Sequence, residues 1–210
     1  MHSAPRCKFI VLTGGPGAGK TAVMEAARQI FAQKKVSILP EAASIVYSGG
    51  FPRFATGVSI RAAQRAIAAV QHELEAFTFE EGSTTLALCD RGIVDGAAYW
   101  PEGPEAFYEA IGWPKESVYA RYDTVIHLRT PTIHLGYNNS NPMRTESPQQ
   151  AAVLDARIEK VWDGHPNRFI VPATETFTEK LEHVTDLIRA ALTESHAVPS
   201  EHFARPRFLN

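Results

Sequence analysis

The chain has 210 residues, 44% of them hydrophobic, and a formal net charge of −2. The length and the hydrophobic content suit one α/β domain with an ordinary core. The net charge lacks the basic excess of a protein whose main partner is nucleic acid, so we do not expect nucleic acid as the main partner. No stretch reaches the roughly 18 apolar residues of a membrane span, and the apolar stretch near the start is too short for a signal peptide. We therefore expect a soluble, cytoplasmic protein with no membrane partner.

Strands and helices alternate along the predicted chain. The strands are short and apolar throughout, as is typical of parallel strands covered on both faces. They are predicted at 8–13, 36–40, 84–89, 124–128 and 168–171, with helices at about 20–34, 59–80, 146–162 and 177–192. In the long helix, Ser59 is the predicted N-cap and Phe77 belongs to the apolar stripe. This order predicts a three-layer α/β fold with a parallel five-stranded sheet, helices on both faces and ligands at the carboxyl edge of the sheet.

Residues 14–21 read GGPGAGKT, a complete G-x-x-x-x-G-K-[ST] pattern between the first strand and the first helix. Glycines let the backbone N–H groups surround a phosphate, and the start of the helix adds its positive end. Lys20 can reach the β- and γ-phosphates, and the Thr21 hydroxyl can bind Mg²⁺. The alternative, a glycine-rich turn without a ligand, is disfavoured by the complete pattern. We predict a site for ATP or GTP formed by Gly14, Gly15, Pro16, Gly17, Ala18, Gly19, Lys20, Thr21 and Ala22.

Three further candidates follow the third strand. Asp90 ends an apolar run and can hold Mg²⁺ beside the phosphates, although an Asp there can also cap a helix. Arg91 can direct its planar, positively charged guanidinium at a phosphoryl group or a substrate, or it can form a surface salt bridge. Asp95 can bind a substrate hydroxyl or be a structural helix residue.

Glu41 follows the second predicted strand, where a carboxylate can face the γ-phosphate across the crevice of the sheet. There it can accept a proton from an attacking hydroxyl or bind magnesium. Capping of the next helix is the competing interpretation.

A long polar segment, about 130–148, follows the fourth strand and is predicted to form a lid. Arg129, Arg144 and Arg157 lie in or beside it, and an arginine on a lid can neutralise charge on a phosphoryl group in transfer. Arg144 is our first choice. The predicted domain spans 1–194, and 195–210 form a loosely held C-terminal tail.

The guanine-reading Asn-Lys-x-Asp motif is absent from the sequence, which disfavours a Ras-type switch. The phosphate loop, Glu41, Asp90-Arg91-Gly92-x-x-Asp95 and Asn141-Pro142-x-Arg144-Thr145-Glu146 together resemble the kinase-like AAA-domain ATP/GTP-binding proteins. That group is related to nicotinamide riboside kinase and, more distantly, to deoxynucleoside and thymidylate kinases. The resemblance covers about 6–193 and implies that Glu41 is the base and that Asp90 and Arg91 are the acid–arginine pair. Deoxynucleoside kinases typically carry Glu-Arg-Ser where this chain has Asp-Arg-Gly, so their substrate preference does not carry over.

We therefore predict a kinase that uses ATP or GTP with Mg²⁺ to phosphorylate the hydroxyl of a nucleoside-like small molecule. In this hypothesis the catalytic residues are Lys20, Glu41, Asp90, Arg91 and Arg144. Thr21 and Asp90 hold the metal, and Arg91 and Asp95 contact the acceptor. The alternative is a nucleotide-regulated binding protein with slow hydrolysis. The acceptor, the preferred nucleotide and the oligomeric state stay open.

Overall fold

Five parallel strands form one sheet in the order β2-β3-β1-β4-β5, so β1 lies at the centre. The computed structural model describes residues 7–32, 35–131, 147–173 and 176–193, together with Phe203. The strands are β1 (Lys8–Thr13), β2 (Val36–Leu39), β3 (Leu86–Asp90), β4 (Thr124–Leu128) and β5 (Arg168–Val171). All five predicted strands are confirmed.

Helices connect the strands. Within the described ranges they are α1 (Lys20–Ile30), α2 (Ala42–Ser48), α3 (Gly57–Glu81), α4 (Pro104–Ile111), α5 (Lys115–Tyr119), α6 (Pro148–Val161) and α7 (Phe177–Thr193). A 3₁₀ segment, Ile93–Tyr99, follows β3. None of the helices that the structure describes is long and apolar enough to cross a membrane.

The side chains of β1 alternate between two cores, which places helices on both faces of the sheet. Phe9 and Val11 pack into the core that contains Trp162 and buried residues of α3 and α6. Ile10 and Leu12 pack on the opposite face, against α1 and α7. The predicted three-layer α/β fold is therefore confirmed. The helices cover the two faces of the sheet, and the loops that carry the candidate site lie at its carboxyl edge.

Two predictions about the long helix are wrong. The helix begins at Gly57 because Thr56, not Ser59, is its N-cap: the Thr56 hydroxyl accepts a hydrogen bond from the Ser59 amide at 3.2 Å. Phe77 is 65% exposed and does not belong to the buried stripe. Polar side chains occupy much of the buried face of α3 instead, which a search for apolar periodicity does not detect.

Two predicted features lie wholly or partly outside the described residues. Arg144 and most of the predicted lid fall within residues 132–146, which the structure does not describe. In the predicted tail, Phe203 is 5% exposed, and its ring stacks on Phe79 at a centroid distance of 4.6 Å. The tail is therefore attached to the domain at Phe203.

Candidate nucleotide and acceptor site

The phosphate loop joins β1 to α1 and turns at glycines with positive φ. Gly14, Gly17 and Gly19 have φ angles of 134°, 80° and 90°, which L side chains rarely adopt. A Cβ atom on Gly14 would lie 2.1 Å from the carbonyl oxygen of Leu128. Gly14 is thus required for the close approach of the loop to β4, in addition to the role that the motif predicts for it.

Asp155 on α6 holds the loop from outside the motif. Its Oδ1 accepts a hydrogen bond from the Gly15 amide at 2.6 Å, and its Oδ2 accepts one from the Thr130 amide at 3.3 Å. Nε2 of His127 lies 3.1 Å from Oδ1. Burial alone would raise the pKa of Asp155, but these hydrogen bonds hold it below its ordinary value. Sequence reasoning missed Asp155 because a single Asp in a helix has no motif to mark it.

Two lysines donate hydrogen bonds to backbone carbonyl groups of the loop, one from the start of α1 and one from α7. The Lys20 side chain is 9% exposed, and its Nζ donates to the carbonyl oxygens of Gly14 and Gly15 at 3.0 and 3.1 Å. Burial lowers the pKa of Lys20 to about 8. From α7, Lys180 donates to the carbonyl oxygen of Ala18 at 3.0 Å, a contact that sequence reasoning also missed.

Arg91 connects two of the predicted carboxylates. Its Nε donates to Oε1 of Glu41 at 2.8 Å, and its Nη1 lies 3.5 Å from Oδ1 of Asp95. The Arg91 side chain is only 15% exposed, so these are not the surface pairs of the competing interpretation. Arg91 has a φ of 73°, a left-handed backbone that is uncommon for a residue with a side chain and concentrates at functional sites.

Glu41 occupies the N-cap position of α2, yet its side chain makes no capping hydrogen bond to the backbone. The carboxylate instead accepts from Arg91 and, at 2.6 Å, from the Ser44 hydroxyl. Burial alone would raise the pKa of Glu41, but the charge of Arg91 and these hydrogen bonds hold it below its ordinary value. Glu41 is therefore an ionised carboxylate at the edge of the cleft.

Asp95 is held by contacts within the chain. Its Oδ1 accepts from the Thr13 hydroxyl, and its Oδ2 accepts from the Gly92 amide at 2.9 Å. These bonds fix the turn that carries Arg91 relative to the end of β1. They support the structural interpretation of Asp95, although its side chain also lines the cleft.

Asp90 has the properties of a metal ligand. Its Oδ1 is buried, and no described residue donates a hydrogen bond to it. Burial raises the pKa of Asp90, and the Glu41 carboxylate adds to this rise while Lys20 opposes it. The described residues contain no group of three or more His, Cys, Asp or Glu side chains that could hold a metal. Mg²⁺ needs only one or two protein ligands beside phosphates and water, so Asp90 with the Thr21 hydroxyl fits it.

The arginines near the predicted lid differ in their surroundings. Arg129 forms a two-pronged ion pair with Glu159, with Nη1 and Nη2 at 2.7 and 2.9 Å from its oxygens. Arg157 is exposed on α6. The role predicted for Arg144 stays a prediction.

A cleft of about 670 Å³ adjoins the phosphate loop. It runs from Pro16 and Thr21, past Glu41 and Arg91, to α3. Its far wall includes Tyr47, Arg53, Phe54, Ile60, Gln64, Ile67, Gln71 and Tyr99. The cleft can hold a second ligand beside a nucleotide.

Comparisons with known proteins agree with this architecture. A family model described as an AAA domain matches residues 9–180. Thymidylate kinase from Candida albicans has a similar solved structure, with a TM-score of 0.68, 14% sequence identity and coverage of 92% of this chain and 97% of that chain. At this identity the similarity establishes a shared fold, that of the P-loop NTPases. No curated protein matches the sequence significantly.

Proposed function

The chain belongs to the AAA domain family, and on that basis we propose that it is a kinase that transfers the γ-phosphoryl group of ATP or GTP to a small hydroxyl-bearing acceptor. The acceptor is nucleoside-like or a related metabolite. Its hydroxyl would enter the cleft beside Glu41 while the triphosphate occupies the loop at Gly14–Thr21.

One observation carries the proposal: the cleft is continuous from the phosphate loop to Glu41 and on to α3. A protein that only binds a nucleotide needs no second pocket beside the γ-phosphate position. A kinase does, because both substrates must be held in line for transfer.

The chain would bind the nucleotide through the loop amides and Lys20. Lys20 Nζ now contacts the Gly14 and Gly15 carbonyls and would move to the β- and γ-phosphates. Thr21 and Asp90 would hold Mg²⁺, which neutralises phosphate charge when it is bound.

Transfer forms a bond between the acceptor oxygen and the γ-phosphorus and breaks the bond to the bridging oxygen, so that the nucleoside diphosphate leaves. Glu41 would take the proton of the acceptor hydroxyl. Its low pKa suits late proton transfer, after the new bond has largely formed. Arg91 would supply fixed positive charge to the moving group and keep Glu41 oriented.

The test is a screen for ADP and GDP release over nucleosides, nucleoside monophosphates and nicotinamide riboside, with Lys20→Ala as the blank. We expect at least one acceptor to stimulate release by the native protein. In Glu41→Gln we expect kcat to fall by about 100-fold with little change in nucleotide affinity, because general-base catalysis contributes on that scale.

Ser44→Ala is the matched control, since it removes a hydrogen bond to Glu41 but keeps the carboxylate. It should lower kcat only a few-fold. Undiminished turnover in Glu41→Gln would remove the base assignment. Nucleotide binding without stimulation by any acceptor would favour the regulated binding protein instead.

A further inference from the structure

Arg91 lies in a strained turn whose amides are held by other parts of the chain. Its φ of 73° is the only positive φ of a residue other than glycine within the described ranges. Such a backbone persists only where its surroundings hold it in place. The Arg91 amide donates to the Leu12 carbonyl oxygen at 3.0 Å. The Gly92 amide donates to Oδ2 of Asp95 at 2.9 Å. The next amide along the turn, that of Ile93, has a partner of a different kind.

Tyr122, between α5 and β4, provides that partner. Its hydroxyl accepts a hydrogen bond from the Ile93 amide at 2.9 Å. Both residues are 3% exposed, so bulk water does not reach this amide to satisfy it instead. The Tyr122 ring also packs on the turn, because a Cβ atom on Gly92 would lie 3.1 Å from its Cζ atom. One side chain therefore holds the turn both by a hydrogen bond and by packing.

The Tyr122 hydroxyl is itself fixed by a carboxylate. It donates to Oε1 of Glu75 at 2.8 Å. Burial and the charge of Glu75 raise the pKa of Tyr122 well above its ordinary value, so the hydroxyl keeps its proton. A phenol has one proton to donate, and with that proton directed at Glu75 its lone pairs are left for the Ile93 amide.

Glu75 is fully buried on α3, and further donors hold it. Arg121 donates to Oε2 from Nε at 2.9 Å and from Nη2 at 2.6 Å, and Gln71 donates to Oε1 at 2.9 Å. The ring of Phe203, in the C-terminal tail, lies 4.7 Å from the guanidinium carbon of Arg121. Replacing a buried ion pair by apolar packing is often neutral for stability, so stability alone does not explain this one. Its orientation of Tyr122 gives it a further role.

We propose that Tyr122, oriented by Glu75, is a positioning residue for Arg91. It holds the left-handed turn in which the Arg91 guanidinium lies 2.8 Å from Glu41. Rotation of φ to a negative value would turn the Cα–Cβ bond of Arg91 and carry the guanidinium away from that carboxylate. The inference rests on the proposed kinase function where it concerns turnover, because Arg91 would act on the transferred phosphoryl group.

The diagnostic variant is Tyr122→Phe, which removes the hydroxyl and keeps the ring. We expect kcat for acceptor-stimulated release of ADP or GDP to fall about tenfold, because a shift of about 1 Å in a catalytic group can cost up to about 100-fold in rate. Nucleotide affinity should change less than about twofold, since the phosphate loop is held by Asp155 and not by Tyr122.

Tyr119→Phe is the matched control, because it removes another buried tyrosine hydroxyl. That hydroxyl donates to the backbone carbonyl oxygens of Val161 and Asp163, at and just beyond the end of α6, and not to the turn. Each variant leaves a buried polar group without its partner, so both should lower Tm by about 3–6 °C. Only Tyr122→Phe should lower kcat about tenfold, and an equal fall in Tyr119→Phe would overturn the positioning role.

The placement of Arg91 can also be measured without turnover. Its Nε–H group gives a proton–nitrogen NMR signal, which is assigned by its absence from Arg91→Lys. Donation to Glu41 should slow the exchange of this proton with water in the native protein. Tyr122→Phe should speed the exchange at least about fivefold, and Tyr119→Phe should leave it unchanged. In the native protein the Ile93 amide should be as protected from exchange as the amides of β3.

The outcomes separate this inference from the proposed function. Unchanged Arg91 exchange in Tyr122→Phe, or an unprotected Ile93 amide in the native protein, would overturn the inference whether or not the protein is a kinase. Faster exchange with undiminished kcat would overturn the link between the turn and turnover. No stimulation by any acceptor would count against the kinase alone, and the NMR measurements would still decide the placement of Arg91. Faster exchange and lower kcat in Tyr122→Phe alone support both.

Discussion

The two ends of the candidate site differ in how their polar groups are satisfied. At the phosphate loop, Asp155 binds the Gly15 amide, Lys20 binds loop carbonyls and Lys180 binds Ala18. At the α3 end, Gln64 is buried with no hydrogen bond to any described residue. The backbone of the loop is therefore held by side chains of the chain itself. The Gln64 amide at the acceptor end has no such hydrogen bond among the described residues. Changes at the loop should affect nucleotide binding, and changes at the cleft should affect the acceptor.

The largest effect is expected for Gly14→Ala. The added Cβ would lie 2.1 Å from the Leu128 carbonyl oxygen, at a φ of 134°. We expect a loss of about 3 kcal/mol in the free energy of unfolding and no measurable nucleotide binding. Gly57→Ala, whose Cβ would meet only the Arg61 side chain, is the control. Denaturant unfolding and calorimetry measure both effects, and native-like binding by Gly14→Ala would contradict the close approach.

Asp155→Ala should have the next largest effect, because it leaves the Gly15 and Thr130 amides without their acceptor. We expect a loss of about 2 kcal/mol in unfolding free energy and weaker nucleotide binding. Asp155→Asn keeps an acceptor oxygen and should lose less. Equal stability of Asp155→Ala and the native protein would show that the loop does not depend on α6.

The same residue gives a pH dependence. Because the folded state holds the pKa of Asp155 below the ordinary 3.8, the charged form stabilises the fold above that pH. This contribution is lost as the pH falls through the lowered pKa. The stability difference between the native protein and Asp155→Asn should therefore shrink in acid, which denaturant titrations at pH 7 and below pH 3.8 would measure.

Nucleotide affinity should also depend on pH, and the change near neutral pH should be smaller than the effects described above. The pKa of Lys20 is about 8, and only its charged form attracts phosphates. Affinity should therefore fall as the pH rises above about 8, with proton uptake on binding. Lys20→Arg keeps its charge and should show a flat profile there, whatever its absolute affinity. A native profile as flat as that of Lys20→Arg would exclude this linkage.

The smallest effect is expected at the cleft, for Phe54→Ala. Phe54 is 67% exposed, so its removal should change the unfolding free energy by less than about 0.5 kcal/mol. Nucleotide affinity should stay the same, while KM for the acceptor rises a few-fold because Phe54 lines the cleft. A change in nucleotide affinity would show that the two ends are not independent.

The fold was largely predictable because buried parallel strands are continuous apolar runs and the phosphate loop has a fixed pattern. Glu41 and Arg91 were found because strand ends are marked in the sequence, and the structure brings them to 2.8 Å. Tyr122 and Asp155 were not found. Their contacts join parts of the chain that are far apart in sequence, and a lone polar residue gives no local sign of them.

Arg91 has a consequence for experiments that select variants. A left-handed backbone costs an L side chain about 1–2 kcal/mol, and glycine or asparagine adopts it more readily. A library at position 91 sorted only for folding should therefore enrich Gly and Asn, whereas sorting for turnover should retain Arg. The difference between the residues enriched in the two selections would show how much folding stability the chain loses by having an arginine, whose guanidinium lies beside Glu41, at this position.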